Sequence, residues 1–274
     1  MQSKVKIGVA AASFAAFGLV ALWGGASWTH AASAQSDFSD GQVKSIEQIV
    51  KGYLLNHPEI LLEVQEAYEK KVEQQHAEAN KSQLPNFYRK LASMRPELSA
   101  MSVGKGDVTV VEFFDYNCGY CRKTLPDLVK LVETDKNIKI QFMEYPILAP
   151  ESSEASKVAI AAAKQGKYFE FHKAMFAAGH ASKETALKIA EQIGLDMNRV
   201  KADMAAPETA ALIAKVSEMG KHMFVDGTPT FIIGDAVNPG WTKYDQLKEL
   251  VENARKAGCT ACTEAASVND AKKS

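Results

Sequence analysis

The stretch from Asp107 to Tyr116 constrains the fold of this 274-residue chain more than any other. Val108, Val110, Glu112 and Phe114 alternate with Thr109, Val111 and Phe113, so an extended strand here is largely apolar on both faces. Such a strand lies inside a sheet covered on both sides. A helical pattern follows over 119–134, then a second strand over 138–145 ending at Pro146. The order β-α-β predicts a parallel pair. Residues 152–222 read as helical throughout, including the small-residue run Ala159–Ala163. A short strand over Thr230–Ile233 and an amphipathic helix over 243–256 close the α/β unit.

Cys118-Gly119-Tyr120-Cys121 sits where the buried strand gives way to its helix. A sulfur at that junction faces the free amides and the positive end of the helix, which favours thiolate over thiol. Cys118 is therefore the candidate nucleophile. Cys121, one turn on and on the same face, can form a disulfide with it or resolve a mixed disulfide. A structural disulfide or half of a zinc site would use the same spacing, but structural zinc needs two further ligands nearby. Glu112 is an acid in an otherwise apolar strand, costly to bury unless it is paired or has a task. Burial raises a carboxyl pKa, which suits Glu112 to relay a proton to or from Cys121; the bland alternative is a carboxylate satisfied by a lysine or water. Downstream, Pro229 in Gly227-Thr228-Pro229-Thr230-Phe231 enters a strand and is a candidate cis residue, though an ordinary turn proline would read the same way.

The ends of the chain carry different signals. Lys4 and Lys6 precede an apolar run from Ile7 to Trp23 and small residues through Ala32-Ser33-Ala34. This is the pattern of a secretory signal over residues 1–34, with an uncleaved membrane anchor as the alternative. It predicts a periplasmic or otherwise exported protein, in a place where cysteine pairs can stay oxidised. Residues 35–98 read as a helical segment and stalk. Ile46, Ile49, Val50, Tyr53 and Leu54 form one apolar stripe, Pro58 interrupts, and Leu61, Val64, Tyr68 and Val72 form a second. Residues 65–82 are too polar to bury much. A stripe with so little chain of its own to cover it predicts self-association, so a homo-oligomer is expected. At the other end, Cys259 and Cys262 follow Gly258 in a small, polar tail over 259–274. A local disulfide is preferred there, with a thiol relay or Cu(I) binding as alternatives. Charge excludes one class of partner: 32 basic residues against 33 acidic ones give a net charge of −1, with no whole-chain field for nucleic acid.

The run Val111-Glu112-Phe113-Phe114-Asp115-Tyr116-Asn117-Cys118-Gly119-Tyr120-Cys121, with Gly227-Thr228-Pro229-Thr230-Phe231 downstream, resembles the DsbA-like branch of the thioredoxin superfamily. The resemblance implies a thioredoxin fold over 99–258, with a helical domain inserted at about 150–215 and cis Pro229 packed against the Cys118–Cys121 pair. It also implies that the Thr228 backbone pairs with a bound substrate peptide, with Gly119 and Tyr120 beside it. Strong oxidases of the branch carry Pro-His between the cysteines, whereas Gly119-Tyr120 with Thr228 is similar to the choice made by disulfide isomerases. Ile49–Glu59 resembles the N-terminal segment of the ScsC-like, copper-sensitivity suppressor group, in which that segment oligomerises the catalytic domains. The implied activity is a thiol:disulfide oxidoreductase, isomerase or reductase in preference to a DsbA-type oxidase, with a copper-handling protein as the non-enzymatic alternative. No organic cofactor and no resident metal are implied. The partners implied are protein substrates bearing disulfides or thiols and a membrane thiol reductase or oxidase.

Overall fold

The computed structural model describes residues 38–259. The signal read at residues 1–34 and Cys262 lie outside the described residues. Contacts divide the chain between Glu63 and Val64. In the first unit, α1 (Asp40–Asn56) starts where the Ser39 amide donates to Gln42 Oε1 at 2.8 Å. It ends at His57, before Pro58, and α2 (Glu59–Ser93) begins at once. None of the α1 side chains is buried within this chain, and Ile49 is 70% exposed. No helix among the described residues is long and apolar enough to cross a membrane.

The second unit takes up α2 from Val64. Its polar stretch is mostly exposed, but Leu84, Phe87 and Tyr88 are buried. Phe87 packs 6.2 Å from the Phe113 ring, and the Tyr88 hydroxyl donates to the Gly234 carbonyl at 2.6 Å. The stalk expected up to residue 98 therefore merges into the globular core at about residue 84, because apolar residues at helical spacing resume there. A short α3 (Arg95–Leu98) and one 3-10 turn lead into the sheet.

The sheet has five strands in the order β1-β3-β2-β4-β5. They are β1 (Ser102–Gly104), β2 (Val108–Phe114), β3 (Ile138–Glu144), β4 (Thr230–Ile233) and β5 (Ala236–Pro239). β2 and β3 are parallel, as the β-α-β order predicts, and the other pairs are antiparallel. β2 is central and buried along nearly its whole length. Between β2 and β3 runs α4 (Gly119–Thr134), while α10 (Tyr244–Ala257) closes the unit on the buried Leu247 and Val251. The helical insert comprises α5 (Pro150–Lys164), α6 (Tyr168–Ala178), α7 (Lys183–Gln192), α8 (Met197–Ala205) and α9 (Pro207–His222). It runs past the anticipated end near residue 215, since Val216 and Met219 keep α9 anchored in the core. In α5, Ala159 to Ala163 are all buried; with side chains this small, neighbouring helices can pack closely around it. This is the thioredoxin fold with an inserted helical domain, preceded by an N-terminal helical region.

Phe142 is fully buried at the junction of sheet and insert, with ring centroids of His172, Phe169 and Phe114 at 4.4, 5.8 and 6.2 Å. Phe142→Ala is expected to lower stability by about 3–5 kcal/mol in urea denaturation. Lys188→Ala, on an exposed face of α7, should change it by no more than ~0.5 kcal/mol. A Phe142→Ala protein as stable as wild type would contradict this account of the core.

Candidate active site

β2 delivers Asp115, and Asp115 shapes everything after it. One carboxylate oxygen accepts from the Asn117 amide and the Ser152 hydroxyl, each at 2.7 Å; the other accepts from the amides of Ile147 and Leu148, each at 2.9 Å. Asn117 then reaches the insert, where its Nδ2 donates to Ser152 Oγ at 3.0 Å and to the Ala181 carbonyl at 3.1 Å. Its Oδ1 accepts from the Ala181 amide at 2.9 Å. The turn that precedes the cysteines is thus held from three sides, and Cys118 becomes the N-cap of α4.

Both cysteines of the pair are free thiols. The Cys121 amide donates to Cys118 Sγ at 3.3 Å, and the Cys118 thiol donates to the Thr228 carbonyl at 3.0 Å. The Cys121 thiol as donor, then Thr228 and the amides of Cys121 and Tyr120, outweigh burial and pull the Cys118 pKa down to about 6. When Cys118 ionises, its contact with the Thr228 carbonyl turns unfavourable. The Thr228 hydroxyl, buried and without a hydrogen-bond partner, is the adjacent group able to donate in its place. Cys121 moves the other way: burial, the hydrogen bond to Cys118 and the charge of Glu112 raise its thiol far above the ordinary value. Glu112 is buried between Phe142 of β3 and Phe231 of β4 in the ladder. Burial first, and then the Cys118 charge, hold its carboxyl well above the usual range.

The opposite wall is the loop into β4. The Thr228–Pro229 peptide is cis, as the resemblance implies. The Pro229 carbonyl accepts from the Gly240 amide at 2.7 Å, and the Thr230 hydroxyl donates to the Gly227 carbonyl at 2.8 Å. This loop is reached through a close approach, since a Cβ on Gly220 would lie 2.6 Å from the Tyr145 ring. The Tyr145 hydroxyl donates to the Val225 carbonyl at 2.9 Å, and Phe224, at φ 50°, turns the chain toward Thr228. The structure therefore brings Cys118, Gly119, Tyr120 and Cys121 together with Thr228 and Pro229, and puts Glu112 within electrostatic reach of both sulfurs. Cys259 is not part of this group. It is disulfide-bonded, and its sulfur lies 3.7 Å from Asp235 Oδ1 at the β4–β5 turn.

A buried polar cluster, not anticipated from the sequence, lies beneath the site. Glu144 accepts from Ser156 at 2.7 Å, Tyr168 at 2.9 Å and Tyr116 at 3.3 Å, and burial pushes its pKa up to about 8. His172 Nδ1 lies 3.2 Å from the Tyr116 hydroxyl, and burial pulls its pKa down to about 3, so it packs as a neutral ring. Among the described residues, no three His, Cys, Asp or Glu side chains gather to hold a metal ion.

Residues 109–252 match the family of the DSBA-like thioredoxin domain. The chain belongs to that family. Its members are thiol:disulfide oxidoreductases, which accords with a free cysteine pair at the start of a helix. Residues 42–75 match a second family, the Copper resistance protein ScsC N-terminal domain. Among solved structures, the chain is similar to a thioredoxin-like oxidoreductase from Silicibacter pomeroyi DSS-3, at 41% identity and TM-score 0.55 over 57% of this chain and 91% of that one. It also shares the fold of a linker-deletion mutant of Proteus mirabilis ScsC, at 21% identity and TM-score 0.57 over 82% of this chain and all of that one. A curated relative, Na(+)/H(+) antiporter NhaA 1 of Salinispora arenicola, is 30% identical over 150 residues. That match takes in 54% of this chain and only 23% of the antiporter's length.

The pH dependence follows from the Cys118 shift. A thiol with a pKa of about 6 is mostly thiolate at pH 7, so alkylation of the reduced protein by iodoacetamide should rise through a midpoint near 6 and then level off. Cys121→Ala removes the principal donor and should move the midpoint upward. The same shift stabilises the folded reduced protein above the unfolded thiol pKa of about 8.5, and that contribution is lost as pH falls through 6. A wild-type midpoint at the ordinary thiol value would refute the arrangement.

Proposed function

We propose that the protein is an exported thiol:disulfide oxidoreductase that works on folding proteins as a disulfide isomerase or reductase. The observation that carries this reading is the asymmetry of the pair, with Cys118 at about 6 and Cys121 held protonated by burial. The Cys118 thiolate attacks one sulfur of a substrate disulfide, forming a mixed disulfide and releasing the other sulfur as a thiolate. If a second substrate thiolate then attacks the substrate sulfur of the mixed disulfide, Cys118 leaves as thiolate and a new substrate disulfide remains; no net oxidation occurs. If Cys121 attacks Cys118 instead, its proton is relayed through the Glu112 carboxyl to solvent, the substrate leaves as a second thiolate, and the enzyme keeps the disulfide. A membrane thiol reductase would then return the pair to the dithiol. Because Cys121 resists deprotonation, the first exit has time to occur, which suits an isomerase. Substrate backbone would pair at Thr228, with Gly119 and Tyr120 flanking the attacked bond.

The exposed stripe of α1 and the start of α2 supports self-association, since Ile46, Ile49, Tyr53 and Leu61 are all exposed in the single chain. Several sites facing one substrate raise the effective concentration of thiolate around it. The residues 1–34 pattern supports export. One observation favours a second reading. A depressed Cys118 pKa also stabilises the reduced enzyme, which makes its disulfide more oxidising, as a DsbA-type oxidase requires.

Two measurements test this. Reduced protein should reactivate scrambled, fully oxidised ribonuclease faster than its disulfide form oxidises reduced ribonuclease, and Cys118→Ala should bring reactivation to background. Fast oxidation without reactivation would establish the oxidase instead. In light scattering the protein should have the mass of more than one chain, and Ile49→Asp with Tyr53→Asp should reduce it to one. A monomeric wild type would remove the self-association.

A further inference from the structure

Tyr120 and Trp241 stand on either side of the Lys123 ammonium and are 57% and 43% exposed. Tyr120 lies between the two cysteines. Trp241 follows Gly240, whose amide holds the Pro229 carbonyl at 2.7 Å. Lys123, exposed on the second turn of α4, bridges them, its Nζ 5.3 Å from the Tyr120 ring centroid and 5.6 Å from that of Trp241. Lys243 approaches Trp241 as well, at 5.4 Å. The result is a line of ring, ammonium, ring and ammonium along one edge of the site.

Ring faces orient these ammonium groups without cancelling their charge. Nor does a carboxylate cancel it, since neither lysine takes part in an ion pair among the described residues. Asp127, one turn from Lys123, and Asp245, two residues from Lys243, stay outside such pairing. Two oriented positive charges thus face solvent beside a nucleophile that must receive an extended polypeptide. A carboxylate on that polypeptide gains from both, and an ammonium is repelled by both.

We propose that Lys123, Trp241 and Lys243 select the substrate, favouring disulfides whose cysteine is flanked by Asp or Glu. The inference rests on the exchange reaction proposed above and adds a substrate class to it. Trp241 acts as a positioning residue that fixes both amines, and the exchange chemistry itself is unchanged.

The test uses three peptides that differ only in having Glu, Gln or Lys beside one cysteine, each as a mixed disulfide with 2-mercaptoethanol. Rates of reduction by the reduced full-length protein are normalised to rates with dithiothreitol, which removes intrinsic differences in reactivity. At low ionic strength the Glu peptide should react about tenfold faster than the Lys peptide, and the ratio should collapse toward one in about 1 M salt. Lys123→Gln with Lys243→Gln should bring the ratio to about one at any salt, and Trp241→Leu should lower it. If the variants slow all three peptides by one common factor, the lysines are merely structural and the inference fails. Equal normalised rates for wild type would also overturn it while leaving the exchange reaction standing. Failure to reduce any of the peptides would overturn the exchange reaction itself, and the selection with it.

Discussion

The site depends on a single buried carboxylate, Asp115. A charge taken out of water is tolerable only when its lone pairs are filled, and here four donors fill them. Those donors belong to three different segments: the turn before α4, the loop after β3 and the first turn of α5. Satisfying one anion therefore fixes where α4 begins relative to the sheet and the insert. The position of Cys118 is a consequence of that arrangement.

Burial does the remaining work by dividing two chemically identical thiols. Cys118 sits at the helix end, where amides and a neighbouring thiol can donate to it; Cys121 is one turn deeper, between β2 and the helix. In the deeper position only the neutral form is cheap. Glu112 reinforces the division, because a carboxylate and a thiolate cannot both be charged at that depth. The polar cluster around Glu144 and His172 shows the same economy: hydroxyl groups surround a carboxyl, and an uncharged imidazole fills the space between aromatic rings.

Much of this was legible in the residues. β2, α4 and β3 were readable because apolar alternation and helical periodicity run unbroken through them, and a cysteine at a strand-to-helix junction announces its own electrostatics. β1 and β5 escaped notice because they are three and four residues long, one ends in Gly104 and the other in Pro239, and they join the sheet through backbone pairing. The end of the stalk was blurred for a different reason, since α2 runs unbroken from the polar stretch into Leu84 and Phe87. Asp115 stood in plain sight as an acid closing an apolar run, yet three of its four donors come from stretches that only the fold brings together. The Glu144 cluster likewise joins residues as far apart as 116, 144 and 172, and no local pattern marks such a set. Trp241 carried no signal until Lys123 and Lys243 were seen against it.

The bonds from Asn117 to Ala181 and from Asp115 to Ser152 give the inserted helices a standing beyond decoration. The loop that leads into the cysteine pair is owned jointly by the sheet and the insert, so the two cannot be exchanged as independent parts. Transplanting the four-residue cysteine loop onto a bare thioredoxin scaffold would carry over the letters of the motif and leave behind the groups that hold it in place. Sequence changes at Ser152 or around Ala181, remote in the chain from the cysteines, would accordingly register at the sulfur.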